Sequence, residues 1–361
     1  MKILFGADLV PTENTEKYFI EGDARTLFGD VIPVIEQYDR FVINLECALT
    51  ESDGAIKKMG PNLKASPKCV NGLLKSGVTD VLLSNNHTFD FGETGLRDTI
   101  KALDEAGIPY TGVGENDTDS RKIYYLEKDG VRVAIVNVCE HEYSYALPDR
   151  MGANPFDPFI TMQDIRLAKK NADFVVVIYH GGKEFSRYPS PRLVNLAHEM
   201  VYCGASVILM QHSHCIGSFE EFEGASILYG QGNLNFVWEN MSEGWEDAML
   251  VGVDFSSAAP KVTFYPIVMN KHGVEIAQCE RNKEILFGFS QRITEMKNGD
   301  WLKGWREFCF SPERDYYITK TSSTFTCDGE HEREIFPHYL DCEAHTDVLR
   351  ERFATWHKTL R

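Results

Sequence analysis

The sequence predicts an α/β layered fold with buried sheets. Short apolar, β-branched runs recur along the chain, and stretches with helical spacing lie between several of them. The runs are almost continuously apolar, as strands covered on both faces must be. At 361 residues the chain can bury a large core, as one big domain or two unequal ones.

Taken in order, the first run, Ile3–Phe5, leads to Asp8, and Phe41–Leu45 carries Asn44 and leads to Glu46. A helical stretch over Ser66–Ser76 precedes Val81–Leu83, which runs into Asn85, Asn86, His87 and Asp90. After a helix expected over Gly95–Ala106, Val131–Val138 leads to His141 and Glu142, and Phe174–Tyr179 leads to His180 and Glu184. The stretch Pro191–Cys203 opens Ser-Pro and closes on Gly204, with proline early and glycine late as helices prefer. Val207–Met210 then reaches His212 and His214, and Ile227–Tyr229 reaches Gln231 and Asn233. Strand signals fade after about Ile267, and residues 283–361 read as mostly helical, with Trp301, Trp305 and Trp356 along them. Leu349, Phe353 and Trp356 share one helical face, which predicts a helix docked on the main body. The expected division is a main domain over 1–269 and a helical extension over 270–361 packed on it.

Composition narrows the function. With 43% hydrophobic and 25% charged residues the chain is an ordinary globular protein. Its formal charge of -17 leaves no basic footprint for a nucleic acid. The same field repels polyanionic substrates unless bound cations reverse it locally. No apolar run approaches the roughly 20 residues needed to span a bilayer. No basic segment followed by an apolar one opens the chain, so no signal peptide is expected. The nine cysteines are odd in number and form no CxxC pair, which suits a reducing cytoplasm. Cys47, Cys139 and Cys203 lie in apolar runs and are expected to be small core residues.

In layered α/β folds functional groups collect where strands end. Here strand after strand runs into carboxylate, carboxamide or imidazole groups, the ligand types that suit Zn, Mn or Fe. Each has a bland alternative. Asp8 could cap a helix, Glu46 could be a solvated loop charge, Asn85 and Asn86 could be turn residues, and His180 a satisfied core histidine. Their coincidence favours a metal. His212 and His214 are the most specific pair, because alternate residues leaving a strand face the same side. His141 and Glu142 could be outer groups of the site, but a surface loop is the better reading of them, and His198 reads as packing or solvent-facing. The histidines beyond residue 270 show no ligand spacing.

These motifs resemble the CapA family, the poly-γ-glutamate capsule biosynthesis proteins of the calcineurin-like metallophosphoesterase superfamily. The resemblance rests on Ala7-Asp8, Asn44-Leu45-Glu46, Asn85-Asn86-His87 with Asp90-Phe91-Gly92, the stretch His180–Phe185, Gln211-His212-Ser213-His214 and Tyr229–Asn233. Order and spacing agree over residues 1–266, and the C-terminal stretch is not covered. The resemblance implies an αββα sandwich of metallophosphoesterase type with an added C-terminal helical segment. It implies one or two divalent metal ions, with Glu46 as the bridging carboxylate. Asn86, His180 and His212 would complete one site, and Asp8 and His214 would serve the other. His87 would be the candidate acid, with Glu184 a second candidate catalytic group. Lys183 and Arg187 could hold an anionic group or be plain surface charges.

Some positions depart from the wider pattern. Val10 stands where the superfamily usually has a histidine, which the CapA family commonly lacks too, and Glu46 stands where the superfamily has an aspartate; against the family itself, Gly181 replaces a tryptophan, which could widen the pocket. No N-terminal membrane anchor is seen, unlike in surface-attached capsule proteins. The expected function is a cytoplasmic metal-dependent hydrolase of a phosphoester or a γ-glutamyl-type amide, on a small or polymeric anionic substrate. The alternative is a non-catalytic accessory protein of capsule polymer synthesis or export. A buried polar network without metal is the third option, and a homodimer is left open.

Overall fold

A computed structural model describes residues 1–238, 244–317 and 337–359, with side chains to residue 354 in the last stretch. All seven apolar runs are strands, and β-branched side chains fill both of their faces. In the first sheet Lys2–Leu9, Arg40–Leu45, Asp80–Leu82 and Tyr110–Thr111 pair in parallel. On its other side Lys2–Leu9 meets an antiparallel hairpin, Asp247–Asp254 with Lys261–Met269, and Val274–Ile276 adds an edge. The hairpin is not among the seven runs, and the edge strand carries the sheet past Ile267. In the second sheet Val131–Cys139, Phe174–His180, Val207–Gln211 and Ala225–Leu228 run parallel between antiparallel edges.

The two sheets face one another. Phe5, Val42 and Val251 of the first interlock with Ile135, Ile178 and Leu209 of the second in one apolar cluster. The outer face of the first sheet is covered by helical residues such as Phe19, Leu73 and Leu103, that of the second by Ile165, Leu196 and Met200. The result is helix, sheet, sheet, helix, the αββα class expected from the sequence. Helix Pro191–Cys203 shows why its borders were readable. Ser190 accepts a hydrogen bond from the Leu193 amide at its start, and Gly204 takes φ 119° at its end.

The C-terminal part is helical in its described residues: Cys279–Asn298, Trp301–Cys309 and Glu343–Thr359. Ile285 and Phe289 enter the cluster between the sheets. Trp305, Cys309, Tyr317, Tyr339 and Val348 form a small separate core against Met59 and Tyr188 of the main body. Leu349 packs on this core, but Phe353 is 51% exposed, because the core ends one turn before it. The expected shared face is therefore covered at Leu349 alone, and the Trp356 side chain lies outside the described residues. Polar contacts fasten the last helix. Asp347 accepts from Ser190 at 2.6 Å and pairs with Arg192 at 2.9 Å, and Arg192 also pairs with Glu140. No helix among the described residues is long and apolar enough to cross a membrane.

Candidate metal centre

Ends of strands from both sheets converge on one buried cluster. The ladder between the first two strands slips between Phe5 and Asp8, and the slip sets Asp8 opposite Asn44. Asn44 Nδ2 donates to Asp8 Oδ1 at 2.8 Å, and Asn85 Nδ2 donates to Asn44 Oδ1 at 3.0 Å. The second oxygen of Asp8 accepts the His212 amide at 3.0 Å. His180, the last residue of its strand, places Nε2 2.9 Å from Asn86 Oδ1 and 3.3 Å from Glu46 Oε1. Its Nδ1 faces Asn44 Nδ2 at 3.3 Å and Asp8 Oδ1 at 3.8 Å. Asn233 Oδ1 fixes His214 Nδ1 at 2.8 Å, and the His214 ring rests against Trp245 at 4.6 Å.

His212 and His214 do converge, but not by strand alternation. The strand ends at Gln211, and the two histidines lie beyond it with φ of 85° and 51°, in the left-handed region. Such backbone costs of order 1–3 kcal/mol per residue and persists where the surroundings over-determine it. A tight double turn therefore aims both rings back into the cluster.

The donor atoms suit a divalent cation. Those of Asp8, Glu46 and His180 lie within 4.8 Å of one another, as do those of Glu46, His212 and His214. Glu46 is shared by both triplets, which pair His180 with Asp8 and His214 with His212, across the partition implied by the resemblance. Glu46 is fully buried, yet neither carboxylate oxygen has a hydrogen-bond partner, and His212 Nδ1 also has none. A buried polar atom without a hydrogen bond costs about 1–3 kcal/mol, a cost that a bound cation or water at this cluster would relieve.

Electrostatics point the same way. Burial opposes ionisation of Glu46, but His214 and His180 outweigh it and hold the group at about 2. Burial and Glu46 together raise Asp8. Burial disfavours a charged His212, yet Glu142, Glu184 and Glu46 raise it to about 10. Carboxylates short of a counter-charge recruit a proton onto an imidazole, a position a divalent ion would take by releasing that proton.

His87 lies beside the cluster. Its Nδ1 is 2.7 Å from Asp90 Oδ2, and Lys58 Nζ reaches Asp90 Oδ1 at 2.5 Å. Burial and Lys58 lower His87, and Asp90 offsets only part of this. Glu184 is half-buried, 3.4 Å from Lys183. Partial burial pushes it up, but Lys183 and His212 bring it to about 2. His87, Glu184 and Lys183 line a cavity of about 390 Å³ next to Asn86. Lys183 is buried, while Arg187 is exposed and outside that cavity. The departure at Gly181 does not widen the pocket. A Cβ there would lie 2.5 Å from Glu140 Cγ, because the Glu140 side chain already fills the space.

Three residues of the site were not expected. Glu142 faces inward, accepting from Asn86 Nδ2 at 3.0 Å and lying 3.5 Å from His212 Nε2. The strand-end rule that found His180 applied equally to Glu142, so the surface-loop reading was mistaken. His338 and His345, from the C-terminal helices, close on Glu142 with donor atoms within 4.8 Å. Their seven-residue separation gave no sequence signal, since the contact is made by tertiary packing. His141 is no free loop residue either: its Nδ1 meets Glu343 at 2.7 Å. His198 stacks on Phe222 at 3.6 Å, as a packing residue should.

A family model described as bacterial capsule synthesis protein PGA_cap matches residues 2–237. The capsule biosynthesis protein CapA of Bacillus anthracis is 35% identical over 237 residues, 62% of this chain and 56% of that protein. The PGA biosynthesis protein CapA of Bacillus subtilis (strain 168) is 29% identical over 247 residues, 67% of this chain and 63% of that one. The chain thus spans between 56% and 63% of the length of these relatives. Among solved structures, a hypothetical protein from Thermus thermophilus aligns with a TM-score of 0.48 at 18% identity, covering 75% of this chain and 100% of that one. A 5'-nucleotidase precursor from the same organism gives 0.46 at 15%, covering 81% and 58%. With the family match running through every strand-end motif from Asp8 to Asn233, the chain belongs to the bacterial capsule synthesis protein (PGA_cap) family.

Proposed function

We propose that the chain is a divalent-metal-dependent hydrolase whose substrate carries a phosphoester or a γ-glutamyl-type amide. One observation carries the reading: Glu46, buried and shared by two donor triplets, has neither carboxylate oxygen in a hydrogen bond. Asp8, Glu46 and His180 would hold one ion, with Asn86 beside them, and Glu46, His212 and His214 a second. Bound there, a divalent ion supplies Lewis acidity to substrate oxygens and acidifies water. The chain's own groups do the rest. Asn44 and Asn233 fix Asp8 and His214 by hydrogen bonds, as outer partners of ligands do. With Asp90 accepting from Nδ1, His87 presents Nε2 to exchange a proton with the leaving group or the attacking water. Glu184 faces the same cavity as a further proton acceptor, and Lys183 beside it offers an anionic substrate a counter-charge. Tyr316, His338, Tyr339 and His345 of the C-terminal part form one wall of this cavity.

The test is metal-dependent hydrolysis of a generic phosphoester and of a γ-glutamyl substrate by the purified chain. His180→Ala and His212→Ala should each abolish it, and full activity in either variant would sink the assignment. A second reading, a non-catalytic accessory role in capsule polymer synthesis, is favoured by a relative from Mycobacterium tuberculosis named "Probable polyglutamine synthesis accessory protein", 28% identical over 229 residues. Metal bound without turnover on either substrate would select it.

A further inference from the structure

We propose that Glu142, His338 and His345 form a separate divalent-cation site, assembled by the C-terminal helices beside the strand-end centre. The donor atoms of the three lie within 4.8 Å of one another. Among the described residues no hydrogen bond or ion pair joins Glu142 to either imidazole, so the groups converge without binding each other. Carboxylate and imidazole are donors that Zn binds at about 2.0–2.2 Å, and an ion between the three would satisfy all of them.

Each donor is positioned by other groups. Glu142 Oε2 is fixed by Asn86 Nδ2 at 3.0 Å, while Oε1 accepts from the Cys342 thiol at 3.2 Å and lies 3.5 Å from His212 Nε2, so both oxygens are held facing the two imidazoles. Tyr317 Oη lies 2.5 Å from His345 Nδ1. In the tautomer whose Nδ1–H donates to the phenol oxygen, the other ring nitrogen keeps its lone pair, the arrangement of a metal-ligating histidine. The His338 ring stacks on Tyr143 at 5.2 Å and meets His345 edge-on at 4.5 Å. Neither of its ring nitrogens makes a hydrogen bond among the described residues. Lys183 shares the cavity, but Glu184 lies 3.4 Å from its ammonium and offsets the charge.

His338 and His345 lie beyond residue 237, where the family match ends, so this site is an addition to the family's common part. Through Glu142 it touches Asn86 and His212, and an ion there would tie the docking of the last helices to the strand-end centre. The proposal concerns cation binding and does not require that the chain hydrolyse anything.

The experiment is zinc binding to the metal-free full chain, by equilibrium dialysis with elemental analysis, alongside anomalous scattering at the zinc edge from zinc-soaked crystals. The native chain should hold one equivalent more than the H338Q/H345Q variant, whose other equivalents remain. The anomalous map should show a peak between Glu142, His338 and His345. Equal stoichiometry in the two proteins, or peaks confined to the cluster around Glu46, overturns the proposal. If the variant fails to fold, the map of the native chain decides. A filled site at Glu142 with no zinc at Glu46 would instead overturn the proposed function and leave this inference standing.

Discussion

Among the described residues, two places bring three or more carboxylate and imidazole donors within 4.8 Å of one another, and they are built differently. The Glu46 cluster takes its donors from the last two residues of a strand or from the three that follow it, and an inner ring of Asn44, Asn85 and Asn233 pins the donors. The Glu142 cluster takes one donor from the loop after a strand and two from helices about two hundred residues later, and of its supports Tyr317 and Cys342 also come from that C-terminal part. Sheet edges fix donors through the ladder itself. Helices bring donors only as firmly as they dock. The first cluster should therefore behave as part of the fold, and the second as a property of the docking.

The comparison can be broken most drastically at Glu46. Glu46→Ala removes the donor common to both triplets, so elemental analysis should find the cluster without metal and hydrolysis should fall to background. A variant that kept its metal would show that the triplets do not share this residue. Next is Asp347→Ala, which leaves Arg192 with Glu140 and the Tyr179 hydroxyl at the base of the last helix. Because Glu140 still compensates the Arg192 charge, the loss is that of hydrogen bonds to a charged group, about 1.5–3 kcal/mol, read as a fall in thermal stability. The Glu46 cluster should keep its metal; its loss would mean that the two regions are one unit. Smaller is Asn233→Ala, which frees His214 and should weaken metal binding by about 10–100-fold with the fold intact. Unchanged affinity would deny Asn233 its role.

The smallest effect is one of pH, in the metal-free chain. His212 is raised from 6.5 to about 10 in the folded state. Its contribution to stability is complete below pH 6.5 and is lost as pH climbs through 10, because the unfolded chain binds fewer protons in that window. The slope is at most about 1.4 kcal/mol per pH unit. On the acid side Glu142, held well below its usual range, loses its contribution as pH falls. Loading with zinc should flatten the alkaline slope, since the imidazole is then unprotonated on both sides of the transition. A slope that persists in the loaded chain would place His212 outside the metal's reach.

Much of the first region was legible in the sequence, and little of the second. Strand ends announce themselves, because a buried parallel strand is a short apolar run and the polar residue after it has few other reasons to be there. That logic found Asp8, Glu46, Asn86, His180, His212 and His214. It failed where it was not followed, at Glu142. The convergence of His212 and His214 was legible but its cause was not, since left-handed backbone leaves no mark on a histidine. His338 and His345 were beyond reach: their meeting with Glu142 depends on how Trp305, Tyr317 and Tyr339 pack. The effect of Gly181 was equally hidden, because the side chain that fills its space, Glu140, lies some forty residues earlier.

The positive φ at His212 and His214 also shapes how this centre can drift over generations. A β-branched replacement at either position is rejected by the backbone before its chemistry is ever tried, whereas asparagine accepts that conformation readily. Asparagine also carries an oxygen able to bind a cation. The accessible neighbours of this centre in sequence space are thus weaker metal binders rather than unfolded chains, and a lineage can lower its metal affinity there while keeping the fold.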